Sequence, residues 1–126
     1  GAEGIASHNE YLDGRSLVPI FTKPTQTIRR NLFWHYPHYH AGGDGPYSAI
    51  RSGNWRLIEF HETGRLELYN LNKDISETHD SSKINLKTRD QLRHRLNNWR
   101  ASVAAQMPVP NPNYDPARET EVVRNR

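Results

Sequence analysis

Apolar and polar residues alternate over several short stretches of this chain and then recur at a longer interval. Leu32, Phe33, Trp34 and Tyr36 lie within Arg30–His40, a run of residue types that favour a pleated, half-buried surface, so 31–36 is expected to be a strand. Pro37 cannot donate to a ladder and belongs at a strand end or an edge. Residues 41–46, Ala-Gly-Gly-Asp-Gly-Pro, need no regular structure. Tyr47–Arg51, Trp55–Phe60 and Arg65–Leu71 follow as three further strands. Their turns are Ser52-Gly53-Asn54 and Glu62-Thr63-Gly64, where Gly and Asn accept positive φ. Trp55 and Leu57 flank Arg56, and Leu66 and Leu68 flank Glu67, the alternation expected of one-sided burial. Connections this short make the four strands an antiparallel sheet.

The period then changes. Leu86, Leu92, Leu96, Trp99, Val103 and Met107 recur at helical spacing, with Arg89, Arg93, Arg95 and Arg100 between them. This predicts a helix over 85–106, with Asn85 at its N-cap and Pro108 as the stop. Burying four or five of the apolar side chains contributes about 8–12 kcal/mol gross. Ordering the helix offsets most of that, so the helix needs a surface to lie on, and the sheet is the one in view. Trp99 reads as core, and Arg89, Arg93 and Arg100 as the solvated face. The expected fold is α+β: a four-stranded antiparallel sheet packed by one long C-terminal helix, with extended N- and C-terminal segments.

Three regions follow. Residues 1–27 are a lead-in in which Leu17, Pro19, Ile20 and Phe21 want burial that nothing nearby in sequence supplies. Residues 28–107 hold the sheet and helix, joined by the polar loop Asn72–Ser82, dense in side-chain acceptors. Residues 108–126 form a tail with Pro108, Pro110, Pro112 and Pro116, expected to be extended and polyproline-like, with a charged end lacking order.

The chain's 126 residues suit one small domain. At 34% hydrophobic and a mean hydropathy of −0.93 its core must be modest. The net charge of +3 rests on thirteen arginines against four lysines. Arginine's planar fork suits carboxylate, phosphate or sulfate, but the excess is too small and scattered to argue for nucleic acid. With no cysteine, disulfides and cysteine zinc sites are excluded and the redox compartment is left undecided. No 18-residue apolar run exists to span a membrane. A chain opening on Gly1 reads as a processed or truncated piece.

Candidate chemistry concentrates in the first strand and its exit. His35, His38 and His40 are the closest histidines; on a strand, His38 and His40 share a face and His35 points to the other. No carboxylate falls at a zinc spacing and H-E-x-x-H is absent, so no metal site is expected. Two readings of these histidines stay open: ordinary hydrogen-bonded residues at the edges of aromatic rings, or recognition of an anionic ligand by His35, His38 and their neighbours. There is no G-x-S-x-G nucleophile motif, and Ser16, Ser48 and Ser52 read as structural. Arg51, before a hairpin turn, is either a solvated strand arginine or an anion contact.

The order of motifs goes further. Asp-Gly-x-Ser-Leu-x-Pro at 13–19 precedes Leu-Phe-Trp-His-Tyr-Pro-His-Tyr at 32–39 and Ala-Ile-Arg-Ser-Gly-Asn-Trp-Arg-Leu-Ile at 49–58. Glu-Leu-Tyr-Asn-Leu-x-x-Asp-x-x-Glu-Thr at 67–78 and Asn-Pro-Asn-Tyr-Asp-Pro at 111–116 follow. Over residues 12–118 this resembles the C-terminal region of bacterial formylglycine-dependent sulfatases, the secreted, arylsulfatase-like members of the alkaline-phosphatase superfamily. Each motif alone is weak; their order and spacing are specific.

The resemblance implies a missing N-terminal catalytic domain carrying the formylglycine nucleophile and calcium. This chain has no Cys- or Ser-x-Pro-x-Arg motif and no acidic cluster for calcium, so it is expected to bind no cofactor, contain no catalytic residue and be inert alone. It would form one wall of the substrate pocket and pack on the catalytic domain through the segment 13–21. The wall residues implied are His35 and His38, then Tyr36, His40 and Arg51, contacting the sugar or aryl group of a sulfated carbohydrate or aryl sulfate. A periplasmic or extracellular location and a tendency of the fragment to self-associate are also implied. The alternative is an independent small anion- or glycan-binding module without catalysis.

Overall fold

The computed structural model describes residues 16, 18–22, 30–39 and 45–115. The chain divides into two compact units, Gly1–Arg30 and Asn31–Arg126. In the first, the apolar segment turns into a short helix, α1, over Val18–Thr22. The Val18 N–H donates to Ser16 Oγ at 3.3 Å, and Thr22 Oγ1 donates back to the Val18 carbonyl at 3.0 Å. The side chains of Val18 and Phe21 are exposed.

The second unit holds β1 (Asn31–Tyr36), β2 (Tyr47–Ser52), β3 (Trp55–Phe60), β4 (Leu66–Asn70) and α2 (Leu86–Ser102). The strands form one antiparallel sheet in the order β1-β2-β3-β4. The two tight turns are closed by Gly53 and Gly64, at φ of 60° and 66°, a region costly to residues with a Cβ. The α+β expectation therefore holds, with every strand boundary within one residue of the one expected.

Register decides what faces the helix. Phe33, Ile50, Leu57 and Leu68 lie opposite one another across the four strands. With Leu92 and Leu96 of α2, Ile50, Leu57 and Leu68 build the core, flanked by the partly buried Phe33, Trp55, Leu66 and Trp99. Burial of each leucine contributes about 2 kcal/mol. Phe33 and Trp99 stack with centroids 4.8 Å apart and planes 5° from parallel. The next row on the same face is polar: His35 opposite Ser48, and Ser48 opposite Glu59. The outer face carries Trp34, Tyr36 and Tyr47, with the Arg65 guanidinium 3.9 Å from the Phe60 ring centre.

The exposed edge of β4 is blunted by the loop after it. The Leu68 N–H donates to Asp80 Oδ1 at 2.9 Å, and its carbonyl accepts from Ser81 N–H and Oγ, both at 2.8 Å. A strand edge whose backbone groups are occupied in this way offers less to a foreign strand.

Two expectations about α2 need correction. It ends at Ser102, not near 106, and Pro108 is not what stops it. Ala104 takes a left-handed conformation, φ 49°, and the chain reverses there. Its N–H donates to the Ala101 carbonyl at 3.2 Å and the Ala105 N–H to the Arg100 carbonyl at 2.9 Å. This pair of bonds is the Schellman ending, with Ala where Gly is usual. Val103 and Met107 are consequently exposed, as is Leu86 at the other end of the helix, leaving Leu92, Leu96 and Trp99 to make the helix's apolar contact. At the other end Asn85 sits at the N-cap but makes no side-chain capping bond. Second, Arg93 and Arg100 are not a solvated face, because both reach Glu59. Beyond the helix, residues 105–111 have no regular structure, and a turn at Pro112–Asn113 precedes Tyr114, whose N–H donates to the Asn111 carbonyl at 3.1 Å.

Candidate functional site

The pleat splits the residues singled out in the sequence. His35 lies on the helix-facing side, half-buried. Tyr36 lies on the opposite face and is exposed, edge-on to His38 with centroids 5.6 Å apart and 6.1 Å from Tyr47. His38 is exposed just past the strand end. Arg51 shares the outer face with Tyr36 but sits at the other end of β2, opposite Leu32 and Arg56. His40 lies outside the described residues. Tyr36 and His38 are thus brought together, His35 is next to them in sequence but turned inward, and Arg51 is remote.

Around His35 the structure assembles residues that sequence reasoning passed over. His35 Nε2 lies 2.7 Å from the Gln106 carbonyl oxygen, and Nδ1 lies 2.7 Å from Ser48 Oγ. Ser48, wholly buried, is also 2.9 Å from His61 Nε2 and 3.5 Å from Arg100 Nη1. Arg100 and Arg93 both hold the Glu59 carboxylate, at 2.7 Å and 2.8 Å. The signal that could have found this set is positional: Ser48 and Glu59 are polar at strand positions that point the same way as Ile50 and Leu57.

The cluster is electropositive, since two guanidinium groups share one carboxylate. Burial pushes the His61 imidazole below its usual 6.5, and the nearby Arg100 and His35 push it the same way, against Glu59 and the Tyr47 carbonyl. No buried side-chain nitrogen or oxygen among the described residues lacks a partner. Ser48 is therefore a spoken-for structural hydroxyl with no access for a substrate. Among the described residues no group of three or more His, Asp or Glu is placed to hold a metal ion, and no helix is long and apolar enough to cross a membrane.

The exit of β1 is tied down separately. The Tyr39 hydroxyl donates to Glu62 in the β3–β4 turn. Gly45, at φ 85°, packs so closely there that a Cβ would stand 3.0 Å from Glu62 Oε2 and 3.6 Å from the Tyr39 ring. This closure sets where Tyr36 and His38 are displayed. Two shallow depressions lie along α2, one bordered by Arg100, Ala104 and Met107 and another by Lys87, His94 and Arg95. Neither includes His35, Tyr36 or His38.

Comparison with known proteins gives this surface its context. A protein from Formosa agariphila described as a sulfatase is 29% identical over 85 residues, covering 62% of this chain and 15% of its own length. The solved structure of BT4656, in complex with its substrate D-glucosamine-2-N,6-O-disulfate, matches with a TM-score of 0.56 at 20% identity, over 75% of this chain and 21% of that one. This chain therefore spans only about a fifth or less of the length of these relatives. The family model for the C-terminal part of N-sulphoglucosamine sulphohydrolase matches residues 3–102. With most of its length inside that match, the chain belongs to the N-sulphoglucosamine sulphohydrolase C-terminal family, a family of sulfatase C-terminal domains, and it shares its sheet-and-helix fold with part of the BT4656 structure.

Proposed function

We propose that this chain is the C-terminal subdomain of a sulfatase, a sulfuric ester hydrolase, in which it packs on the catalytic domain and forms one wall of the substrate pocket. The observation that carries the reading is the family match over residues 3–102, in a chain that covers 15% of the length of the Formosa agariphila sulfatase. The nucleophile and the calcium that sulfatase chemistry requires would be supplied by the catalytic domain. The work left to this chain is recognition. Tyr36 and His38, exposed side by side at the end of β1, would meet the sugar or aryl group beyond the sulfate, with His40 as a further contact; Arg51, at the far end of β2, would be reached only by a longer substrate. His35 would stand behind them, its ring fixed by Ser48 and the Gln106 carbonyl. A sulfated sugar is the first substrate class to try, N-sulfated glucosamine foremost, since both a family name and a relative's substrate carry that group. Aryl sulfates come second. The reading places the protein in the periplasm or outside the cell.

The test uses the parent enzyme and this chain in parallel. The 126-residue chain alone should hydrolyse neither sulfated glucosamine nor an aryl sulfate with calcium present. In the full-length enzyme His38→Ala and Tyr36→Ala should raise KM for the sugar substrate about tenfold, the loss of one or two good contacts, and leave hydrolysis of a minimal aryl sulfate nearly unchanged. Turnover by the purified chain, or equal loss on both substrates, overturns the reading. Binding of sulfated glycans by a chain whose parent has no sulfatase activity would instead make it an independent glycan-binding module.

A further inference from the structure

The inner face of the sheet is closed by α2, but the outer face is satisfied only in part. Phe60 lies under the Arg65 guanidinium, and Tyr47 stands between Tyr36 and Phe60, with ring centres 6.1 Å and 6.5 Å away. The Tyr69 hydroxyl donates to Glu67 at 3.0 Å. Trp34 is different. It stands on the edge strand β1 with 45% of its surface exposed, and among the described residues it has no ring neighbour and no hydrogen bond for its indole N–H. Its partner across the strand pair is Ala49, whose methyl raises nothing beside the indole. A large aromatic surface is thus left open to water, which is unfavourable for apolar area of that size.

Arg51 is unmatched on the same face. Directly opposite it on β3 stands Arg56, and like charges in that relation are unfavourable. Glu77 relieves only one of the two: both its carboxylate oxygens lie 2.7 Å from Arg56 Nη1. Glu67, the carboxylate that β4 turns to this face, is held by Arg65. Arg51 is left exposed, with no ion pair among the described residues. The couple Arg51–Arg56 is therefore short of one negative charge.

Building on the substrate-wall reading above, we propose that the outer face of β1 and β2 is a track for an anionic glycan of more than one sugar, with Trp34 stacked under a sugar ring and Arg51 paired with a sulfate or carboxylate beyond it. Strand geometry lays the track out. Tyr36, Trp34 and Leu32 share one face at every second position, and they stand opposite Tyr47, Ala49 and Arg51. At about 3.4 Å per residue, the row of Trp34 lies about 7 Å from that of Tyr36 and the row of Arg51 about 14 Å, farther than one sugar ring reaches. A glycan held at Tyr36 and His38 continues over Trp34, and a charged group farther along it arrives at Arg51. The C–H face of a sugar suits the negative face of an indole, and its hydroxyls suit the indole N–H. An apolar protein surface suits this face less well, because covering Arg51 and Arg56 together would take a pair of like charges out of water. A hydrated sulfated chain brings the missing anion with it. Trp34 and Arg51 are thus the residues that set preference for substrate length.

Kinetics of the full-length enzyme on N-sulfated glucosamine and on longer glycans carrying the same group test the track. KM should fall as the substrate grows from one sugar to several, with kcat steady. Trp34→Ala should raise KM for the longer glycan about tenfold, the worth of one stacked ring, and leave the monosaccharide unchanged. Trp34→Phe, which keeps a ring, should recover most of that loss. Arg51→Ala should raise KM for the longer glycan about fivefold at low salt, and by less as salt screens the exposed pair. Tyr36→Ala and His38→Ala should instead weaken the sugar substrates at every length. A fault in the wall reading therefore shows in those two variants, and a fault in the track shows at Trp34 and Arg51. A KM indifferent to length, or an Arg51→Ala loss indifferent to salt, would overturn the proposal. So would a Trp34→Ala loss that is equal on every substrate and comes with a lower Tm of the whole enzyme, which would put Trp34 against the catalytic domain.

Discussion

Arg100 and Glu59 meet at 2.7 Å with only 13% and 7% of their side chains exposed, an ion pair nearly withdrawn from water between α2 and β3. Arg93 joins the same carboxylate from a position 47% exposed. Glu59→Ala would leave Arg100 charged and buried without its partner, and should lower stability by about 3 kcal/mol. Arg93→Ala removes the solvated half of the arrangement and should cost under about 1 kcal/mol. Urea unfolding of the two variants checks the asymmetry; equal losses would mean that Arg100 is not the partner that matters.

The reversal at Ala104 should be improvable. Its φ of 49° places a Cβ in the left-handed region, where an L-residue is disfavoured by about 1 kcal/mol. Ala104→Gly should therefore raise stability by about that much, with both Schellman bonds retained. Thermal or urea unfolding reads the gain, and a loss would show that the Ala104 methyl contributes contacts worth more than the strain.

Acid should weaken the fold in two stages. His61 is held below 6.5 in the folded chain, by burial first and then by Arg100 and His35. Between its folded value and 6.5 the unfolded chain binds more protons, so stability is full above 6.5 and falls as the pH drops below it. His61→Gln should remove this slope. A second loss belongs below 3.8. Asp74 is lowered by the N–H groups of Thr78 and His79. For Asp80 burial acts upward, but bonds from Leu68 and Ser82 outweigh it. Asp80→Asn should flatten part of that lower limb in an unfolding series against pH.

Alkali should find one late tyrosine. Burial, then the hydrogen bond and charge of Glu67, push the Tyr69 hydroxyl up from 10.0 to about 12. The unfolded chain loses this proton first, so the stabilisation is whole below pH 10.0 and is lost as the pH climbs toward 12. Ultraviolet titration of the folded chain should show one phenol ionising after the rest, absent in Tyr69→Phe.

The Phe33–Trp99 stack joins β1, an edge strand, to the last turns of α2. A double-mutant cycle with Phe33→Leu and Trp99→Leu should return a coupling of about 1 kcal/mol beyond the area each ring buries. A coupling near zero would reduce the pair to two independent apolar contacts.

What the sequence alone determined is local. Trp55-Arg56-Leu57 and Leu66-Glu67-Leu68 alternate because a strand turns successive side chains to opposite faces, and Gly53 and Gly64 stand where the turns need positive φ. Four strands and a following helix were legible for that reason, whereas the sequence reading set His38 beside His35, and it is the pleat that turns His35 inward and leaves Tyr36 next to His38. The helix end was not. Val103 and Met107 continue the apolar period, yet the chain reverses at Ala104 through backbone bonds that no side chain announces. Nor was the polar cluster. Arg93 and Arg100 look like a solvated face by spacing, and only the placement of α2 over β2 and β3 brings them onto Glu59. His35, Ser48 and His61 are thirteen residues apart in each step along the chain, and they meet because strand register carries distant positions into one row. Periodicity is a property of neighbours in sequence, whereas a buried charge finds its partner across the sheet, where only the folded chain sets the distance.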